Sequence, residues 1–131
     1  MKRLLAQGNA VSEELFIVVV DDDEVVADAL GTILECWGHR VAVSNGDTDF
    51  DPLIEQDSAK PDLIIADYNL GNGRTGVDLI TRLRQHHGNP IAATLLTGDT
   101  ASLPPVDPTI LILLKPVEPA TLKEVLGSLR P

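Results

Sequence analysis

The feature that most constrains the fold is a set of short aliphatic segments that each stop abruptly at a polar residue. Phe16 to Val20 is a continuous, largely β-branched run, and it stops at the aspartates Asp21 to Asp23. A run without polar alternation is typical of a strand buried on both faces of a parallel sheet. From Glu24 onward apolar residues recur at helical spacing, which predicts a helix that ends near a left-handed cap at Gly38.

The same alternation of strand and helix continues along the chain. Further strands are predicted at Arg40 to Ser44, Leu63 to Ala66, Ile91 to Leu96 and Ile110 to Leu114. Helices are predicted around Phe50, Leu53 and Ile54, around Val77, Ile80 and Leu83, and from Pro119 to Leu129. Strands separated by helices return in the same direction and pair in parallel. The sequence therefore predicts a doubly wound α/β domain with five parallel strands.

Two segments fall outside this regular pattern. Residues 1–14 are polar and lack periodicity, so we interpret them as a lead-in or linker that precedes a domain spanning residues 15–131. The segment from Gly98 to Thr109 contains three prolines. Because proline disrupts a helix interior, we expect the fourth helix of the pattern to be short or absent.

Composition narrows the classes of function. Twenty acidic against ten basic residues give a formal charge of −10, which disfavours binding to nucleic acid or to an anionic membrane surface. No apolar run reaches the ~18 residues of a membrane span. Cys36 is the only cysteine, so an internal disulfide is impossible, and we expect it to border the core beside Trp37. A cytoplasmic location is the simplest interpretation.

Polar groups follow four of the five predicted strands. These groups are the three aspartates after the first strand, Asp67 after the third, Thr97 after the fourth and Lys115 after the fifth. The carboxyl ends of parallel strands lie at one edge of a sheet, where ligands bind. We therefore expect several carboxylates, one hydroxyl and one ammonium group to surround a single crevice.

This combination of groups is suited to phosphoryl transfer. Crowded carboxylates raise one another's pKa unless a cation keeps them ionised, and an all-oxygen ligand set favours Mg²⁺ or Mn²⁺ over zinc. One carboxylate can then attack phosphorus while the metal, the lysine and the threonine stabilise the phosphoryl oxygens. An aspartate cluster by itself is more often a helix cap, which is the role we expect for Asp23. Four polar strand ends together favour the functional interpretation.

Four segments carry a resemblance to a known family. They are IVVVDDDEVVADAL, LIIADYNL, ATLLTGD and LILLKPVEPATLKEVL. From Phe16 to Leu129 the chain resembles a response-regulator receiver domain. The resemblance implies a flavodoxin-like sheet with strand order 2-1-3-4-5.

The resemblance also implies roles for individual residues. Asp67 would accept a phosphoryl group from the phosphohistidine of a histidine kinase or a histidine phosphotransfer domain. The Mg²⁺ (or Mn²⁺) ligands would be Asp21, Asp22, Asp67 and the backbone carbonyl of Asn69. Thr97 would be the switch hydroxyl, and Lys115 would pair with the phosphoryl group and precede a cis peptide bond.

The sequence departs from the family pattern in three places. Ile112 stands where an aromatic switch residue is usual, Gly71 stands where proline is common, and the segment from Gly98 to Thr109 is short. We therefore expect a local conformational switch and weak or no homodimerisation.

An alternative function remains open at the level of sequence. Asp21 and Asp23 also fit the nucleophile motif of a haloacid-dehalogenase-like phosphatase, although that interpretation leaves Asp67 without a role. As a receiver, the isolated domain would catalyse only its own phosphorylation and dephosphorylation. It could stand alone or form the C-terminal receiver of a hybrid sensor histidine kinase.

Overall fold

The strands form one parallel sheet, as the sequence predicts. The computed structural model describes residues 14–45, 60–88 and 90–129. The strands are β1 (Phe16–Val20), β2 (Arg40–Ser44), β3 (Leu63–Asp67), β4 (Ala92–Thr97) and β5 (Ile110–Leu114), and the helices are α1 (Glu24–Cys36), α2 (Gly76–His87) and α3 (Pro119–Ser128). The sheet has the order β2-β1-β3-β4-β5 and every pairing is parallel. The predicted fold and strand order are confirmed, while the helix predicted around Phe50, Leu53 and Ile54 lies outside the described residues.

The central strands are covered on both faces, which explains their unbroken apolar sequences. Every residue of β1 and β3 is buried. On one face, Ile64 of β3 belongs to a cluster that includes Ile80 and Leu83 of α2. On the other face, Ile17 of β1 packs in a cluster with Leu34 of α1, and α3 contributes its own buried residues to that cluster. The sheet therefore separates two apolar layers.

Helix α1 begins and ends at the expected signals. The Asp23 carboxylate accepts hydrogen bonds from the N–H groups of Val25 and Val26, at 3.0 and 3.3 Å. The chain leaves the helix at Gly38, which has a φ of +94° that a side-chain-bearing residue rarely adopts. The expectation for Cys36 was wrong, because this last helical residue is exposed, away from the face that carries Leu34.

The segment between β4 and β5 contains only a short 3₁₀ turn, Thr100–Ser102. Arg84 of α2 contacts the C-terminal end of this segment. The Arg84 guanidinium donates two hydrogen bonds to the Ile91 carbonyl, at 3.0 and 2.8 Å, and one to the Thr109 hydroxyl at 3.1 Å. It also lies 3.7 Å from the Asp107 carboxylate. The prediction of a short or absent fourth helix is thus confirmed, with side-chain contacts ordering the segment instead.

Two prolines follow β5 where the sequence placed them. The Lys115–Pro116 peptide bond is cis, and Pro119 occupies the first turn of α3. Within the part of the chain that the structure describes, each helix is too short or too polar to cross a bilayer.

Candidate functional site

The polar strand ends meet at the carboxyl edge of the sheet. The Lys115 ammonium lies 3.2 Å from Asp21 Oδ2 and 3.3 Å from Asp67 Oδ2. Asp21 is fully buried, and Asp67 and Thr97 are nearly so. The structure thus brings Asp21, Asp67 and Lys115 into direct contact. The sequence had predicted their proximity but not the Lys115–Asp21 ion pair.

Backbone hydrogen bonds continue the pairing of the sheet to the residues that carry these side chains. The Asp21 N–H donates to the Ser44 carbonyl at 3.2 Å, so pairing with β2 continues past Val20. The Lys115 N–H likewise donates to the Thr97 carbonyl at 2.7 Å. In addition, Asp21 Oδ1 accepts a hydrogen bond from the Asp23 N–H at 2.9 Å. The functional groups therefore stand on rigid extensions of the sheet.

The acidic cluster fits a hard divalent cation. One carboxylate oxygen from each of Asp21, Asp22 and Asp67 lies within 4.8 Å of the other two. Asp21 Oδ2 is buried and forms an ion pair with the Lys115 ammonium at 3.2 Å. Lys115 brings one positive charge to a cluster of three carboxylates, so a further cation would reduce the repulsion that remains. Oxygen ligands of this kind suit Mg²⁺ or Mn²⁺.

The loop after β3 carries Asn69, two residues beyond Asp67. Two backbone hydrogen bonds close the loop and form an isolated bridge between Asn69 and Thr75, and neither uses the Asn69 carbonyl. The Asn69 side chain accepts a hydrogen bond from the Gly71 N–H at 3.0 Å. Gly71 has a φ of +81°, and a side chain there would approach the Asp22 carboxylate. The loop geometry thus leaves the Asn69 carbonyl uncommitted to the bridge.

Electrostatics distinguish Asp67 from an ordinary surface aspartate. Burial, and then the negative charge of Asp21, raise the pKa of Asp67 from 3.8 to about 6, although Lys115 partly opposes this. Burial by itself would lower the pKa of Lys115, but Asp21 and Asp67 outweigh it and raise that pKa. At neutral pH the site therefore holds a charged lysine beside an Asp67 carboxylate whose ionised form is costly.

Thr97 is at the edge of the site, but its hydroxyl contacts its own loop. Thr97 Oγ1 accepts a hydrogen bond from the Asp99 N–H at 3.2 Å and donates one to the Asp99 carbonyl at 3.3 Å. The sequence placed Thr97 correctly at the end of β4. It gave no indication of this hydrogen-bonded arrangement, which depends on the path of the following loop.

Gly76 supports the site and was not singled out in the sequence. A Cβ at this first residue of α2 would lie 2.5 Å from the Asp67 carbonyl oxygen and 2.7 Å from Leu95 Cδ2. Only glycine therefore allows α2 to begin so close to the end of β3. The available signal was its position directly after the helix-capping residue Thr75.

Comparison with known proteins agrees with the geometry. The chain matches the family described as response regulator receiver domain over residues 17–126. It is 29% identical over 119 residues to the phyllosphere-induced regulator PhyR of Methylorubrum extorquens, covering 86% of this chain and 42% of that protein.

Similar solved structures share the fold. The response regulator receiver domain (CheY-like) from Methylobacillus flagellatus matches with a TM-score of 0.69 and 21% identity, over 90% of this chain and 100% of that one. The response regulator PhyR from Brucella abortus matches with a TM-score of 0.70 and 23% identity, over 88% of this chain and 47% of that one. The chain thus spans less than half the length of these PhyR relatives.

Proposed function

Because this chain belongs to the response-regulator receiver family, we propose that Asp67 accepts a phosphoryl group from the phosphohistidine of a histidine kinase or histidine phosphotransfer domain. The observation that carries the proposal is the Lys115 ammonium, which lies 3.2 and 3.3 Å from the carboxylates of Asp21 and Asp67. This arrangement supplies a nucleophile and a positive charge within one crevice. The same proposal covers a free-standing receiver and the C-terminal receiver of a hybrid sensor kinase.

The residues that would hold Mg²⁺ (or Mn²⁺) are the three carboxylates of the acidic cluster and the Asn69 carbonyl. The fit rests on the all-oxygen donor set and on the fact that three clustered carboxylates face a single ammonium group, that of Lys115. When bound, the cation would offset the repulsion between these carboxylates and the incoming phosphoryl group.

The side chains of this site then have distinct tasks in the transfer. An oxygen of ionised Asp67 attacks phosphorus, the phosphorus–nitrogen bond to the donor imidazole breaks, and its electron pair stays on that nitrogen. The product is an acyl phosphate on Asp67. Lys115 neutralises charge on the phosphoryl oxygens, and the Thr97 hydroxyl donates a hydrogen bond to one of them. A pKa of about 6 for Asp67 leaves most of this carboxylate ionised at neutral pH.

The phosphatase alternative has less support from the geometry. It requires Asp21 as an accessible nucleophile and Asp23 as a nearby acid. Asp21 is fully buried, and the Asp23 carboxylate is committed to capping α1.

The net charge of −10 bears on the partner that receives the signal. It favours a protein partner over nucleic acid.

Phosphorylation by a small phosphodonor such as acetyl phosphate tests the proposal. We expect the protein to gain the mass of one phosphoryl group in the presence of Mg²⁺ and none when the metal is chelated. Asp67→Asn should not react, whereas Asp78→Asn, a control at an exposed residue of α2, should react normally. If Asp67→Asn still gains a phosphoryl group, Asp67 is not the acceptor. If Asp21→Asn fails to gain a phosphoryl group while Asp67→Asn still gains one, the result favours the phosphatase.

A further inference from the structure

The Thr97 hydroxyl has a single proton, and the Asp99 carbonyl accepts it. A hydroxyl can donate only one hydrogen bond at a time. Thr97 Oγ1 donates to the Asp99 carbonyl at 3.3 Å and accepts from the Asp99 N–H at 3.2 Å. We call these two bonds the Thr97–Asp99 contact. If Thr97 is to donate to a phosphoryl oxygen, as the proposed function requires, its bond to the Asp99 carbonyl must first break.

The side chain of Asp99 restrains the backbone N–H and carbonyl of Asp99, which are the groups that contact Thr97. Asp99 Oδ1 accepts a hydrogen bond from the Ala101 N–H at 3.0 Å, which makes Asp99 the N-cap of the 3₁₀ turn Thr100–Ser102. The Ser102 hydroxyl donates to the Asp99 carbonyl at 3.3 Å. The cap and the serine therefore fix the backbone N–H and carbonyl that engage Thr97.

The backbone of Thr97 itself is fixed by the sheet. Its carbonyl accepts a hydrogen bond of 2.7 Å from the Lys115 N–H. Any rearrangement of Thr97 is thus confined to its side chain and to the residues that follow it. Gly98 connects the end of β4 to the capped turn, and a Cβ at this position would meet no atom within 4 Å.

We propose that Asp99 is a positioning residue, which holds the Thr97 hydroxyl away from the phosphoryl group through its cap on the 3₁₀ turn. This inference rests on the proposed function, since it concerns how readily Thr97 engages a phosphoryl group on Asp67. Asp99 contributes through backbone geometry and not through its charge. Weakening the cap lowers the free energy needed to release Thr97 and so favours the phosphorylated form.

Titration with beryllofluoride, a phosphoryl mimic, in saturating Mg²⁺ tests this role. Asp99→Ala removes the cap and should lower the dissociation constant of beryllofluoride about fivefold, the change that corresponds to loss of a typical N-cap. Asp99→Asn is the matched control, since asparagine caps as well as aspartate but carries no charge, and it should bind within about twofold of the unsubstituted protein. Equal gains in both variants would overturn the proposal in favour of charge repulsion.

A double-mutant cycle and hydrogen exchange provide independent readouts. The gain from Asp99→Ala should vanish in a Thr97→Val background, because no hydroxyl is left to release. Without beryllofluoride, the Ala101 N–H should exchange faster in Asp99→Ala and keep its protection in Asp99→Asn. A gain that persists in Thr97→Val, or an Ala101 N–H unaffected by Asp99→Ala, would overturn the proposal.

The outcome for the unsubstituted protein separates this inference from the proposed function. No binding of beryllofluoride, or equal binding by Asp67→Asn, would overturn the proposed function. Normal binding that requires Asp67 and is insensitive to Asp99→Ala would overturn only the role of Asp99.

Discussion

Asp67 is the residue at which folding and chemistry conflict most directly. Its carboxylate is almost buried beside Asp21, and its charge is only partly compensated by Lys115. A carboxylate in this environment is a better nucleophile when ionised, but its ionisation disfavours the folded state. Under the proposed function, the ionised form of Asp67 that reacts is also the form that destabilises the folded protein, and this cost can be measured.

Replacing Asp67 by asparagine should stabilise the protein in a pH-dependent way. The pKa of Asp67 is about 6 in the folded protein against an ordinary value of 3.8. The stability associated with its protonated form is fully present below about pH 4 and is lost as the pH rises through about 6. Without divalent metal, Asp67→Asn should therefore raise the free energy of unfolding by on the order of 2 kcal/mol at pH 8, and by little at pH 4.

Urea denaturation at both pH values checks this expectation. Glu124→Gln, at an exposed residue of α3, is a matched control that should show no such pH dependence. A destabilised Asp67→Asn at pH 8 would mean that the attraction of Lys115 exceeds the cost of burial and of the Asp21 charge.

Asp22 offers a test of the metal site at the same scale. A metal that binds only the folded state raises the thermal midpoint, so we expect Mg²⁺ to stabilise the unsubstituted protein. Asp22→Ala removes one ligand of the acidic cluster and should weaken Mg²⁺ binding about tenfold or more. Glu124→Ala, exposed on α3, should bind Mg²⁺ normally. Unchanged Mg²⁺ affinity in Asp22→Ala would remove Asp22 from the ligand set.

Among the secondary-structure elements, the start of α2 is the most demanding fit to the sheet. Gly76 brings the first turn of α2 against the Asp67 carbonyl and the Leu95 side chain. Helix α2 therefore constrains the site through the position of its first turn against the end of β3.

Alanine substitutions at two helical glycines should have opposite effects. Gly76→Ala forces a methyl group to within 2.5 Å of a backbone oxygen, so it should destabilise the protein by about 2 kcal/mol or more. At Gly127 in α3 a Cβ meets nothing within 4 Å, so Gly127→Ala should stabilise the protein by about 0.5 to 1 kcal/mol. Thermal or chemical denaturation measures both changes. Equal effects at the two positions would show that helix propensity, not the contact with Asp67, determines the result.

At the scale of the whole molecule, the β5 edge of the sheet carries exposed apolar side chains within the described residues. Leu111 and Leu114 are 47% and 57% exposed, and Ile112, which stands where the family has an aromatic residue, is 36% exposed. The segment before β5 forms only the Thr100–Ser102 turn, so within the described residues no helix lies between β4 and β5. Isoleucine is branched at Cβ, which restricts rotation about χ1, and it has no aromatic ring to rotate between an exposed and a buried position. Ile112 is thus poorly suited to carry a long-range switch.

We therefore expect beryllofluoride to change the protein locally. Amide hydrogen exchange should show increased protection in residues 68–76 and 98–103, with little change in β5 and α3. These loops have few buried apolar residues and are the regions that open most easily. Large protection changes centred on Ile112 and Leu122 would show that a conventional long-range switch operates without the aromatic residue.

Several features of this protein follow from local sequence alone. The aliphatic runs of β1 and β3 predicted buried parallel strands, and the cap at Asp23 and the glycine at Gly38 predicted the limits of α1. The cap and the glycine act within a few residues of the helix, so the nearby sequence encodes them, and the unbroken apolar runs record the burial of each strand on both faces. The chemistry of the crevice was predictable for a related reason, because parallel strands always present their carboxyl ends at one edge.

Only the tertiary structure decided how those groups act on one another. Lys115 and Asp21 are far apart in the chain, and their 3.2 Å ion pair depends on the relative heights of β1 and β5 in the sheet. The raised pKa of Asp67 depends on burial and on the approach of Asp21. The orientation of the Thr97 hydroxyl depends on how the next loop folds back. Distances between remote residues are products of packing, and no residue pattern specifies them to the accuracy that electrostatics and hydrogen bonding require.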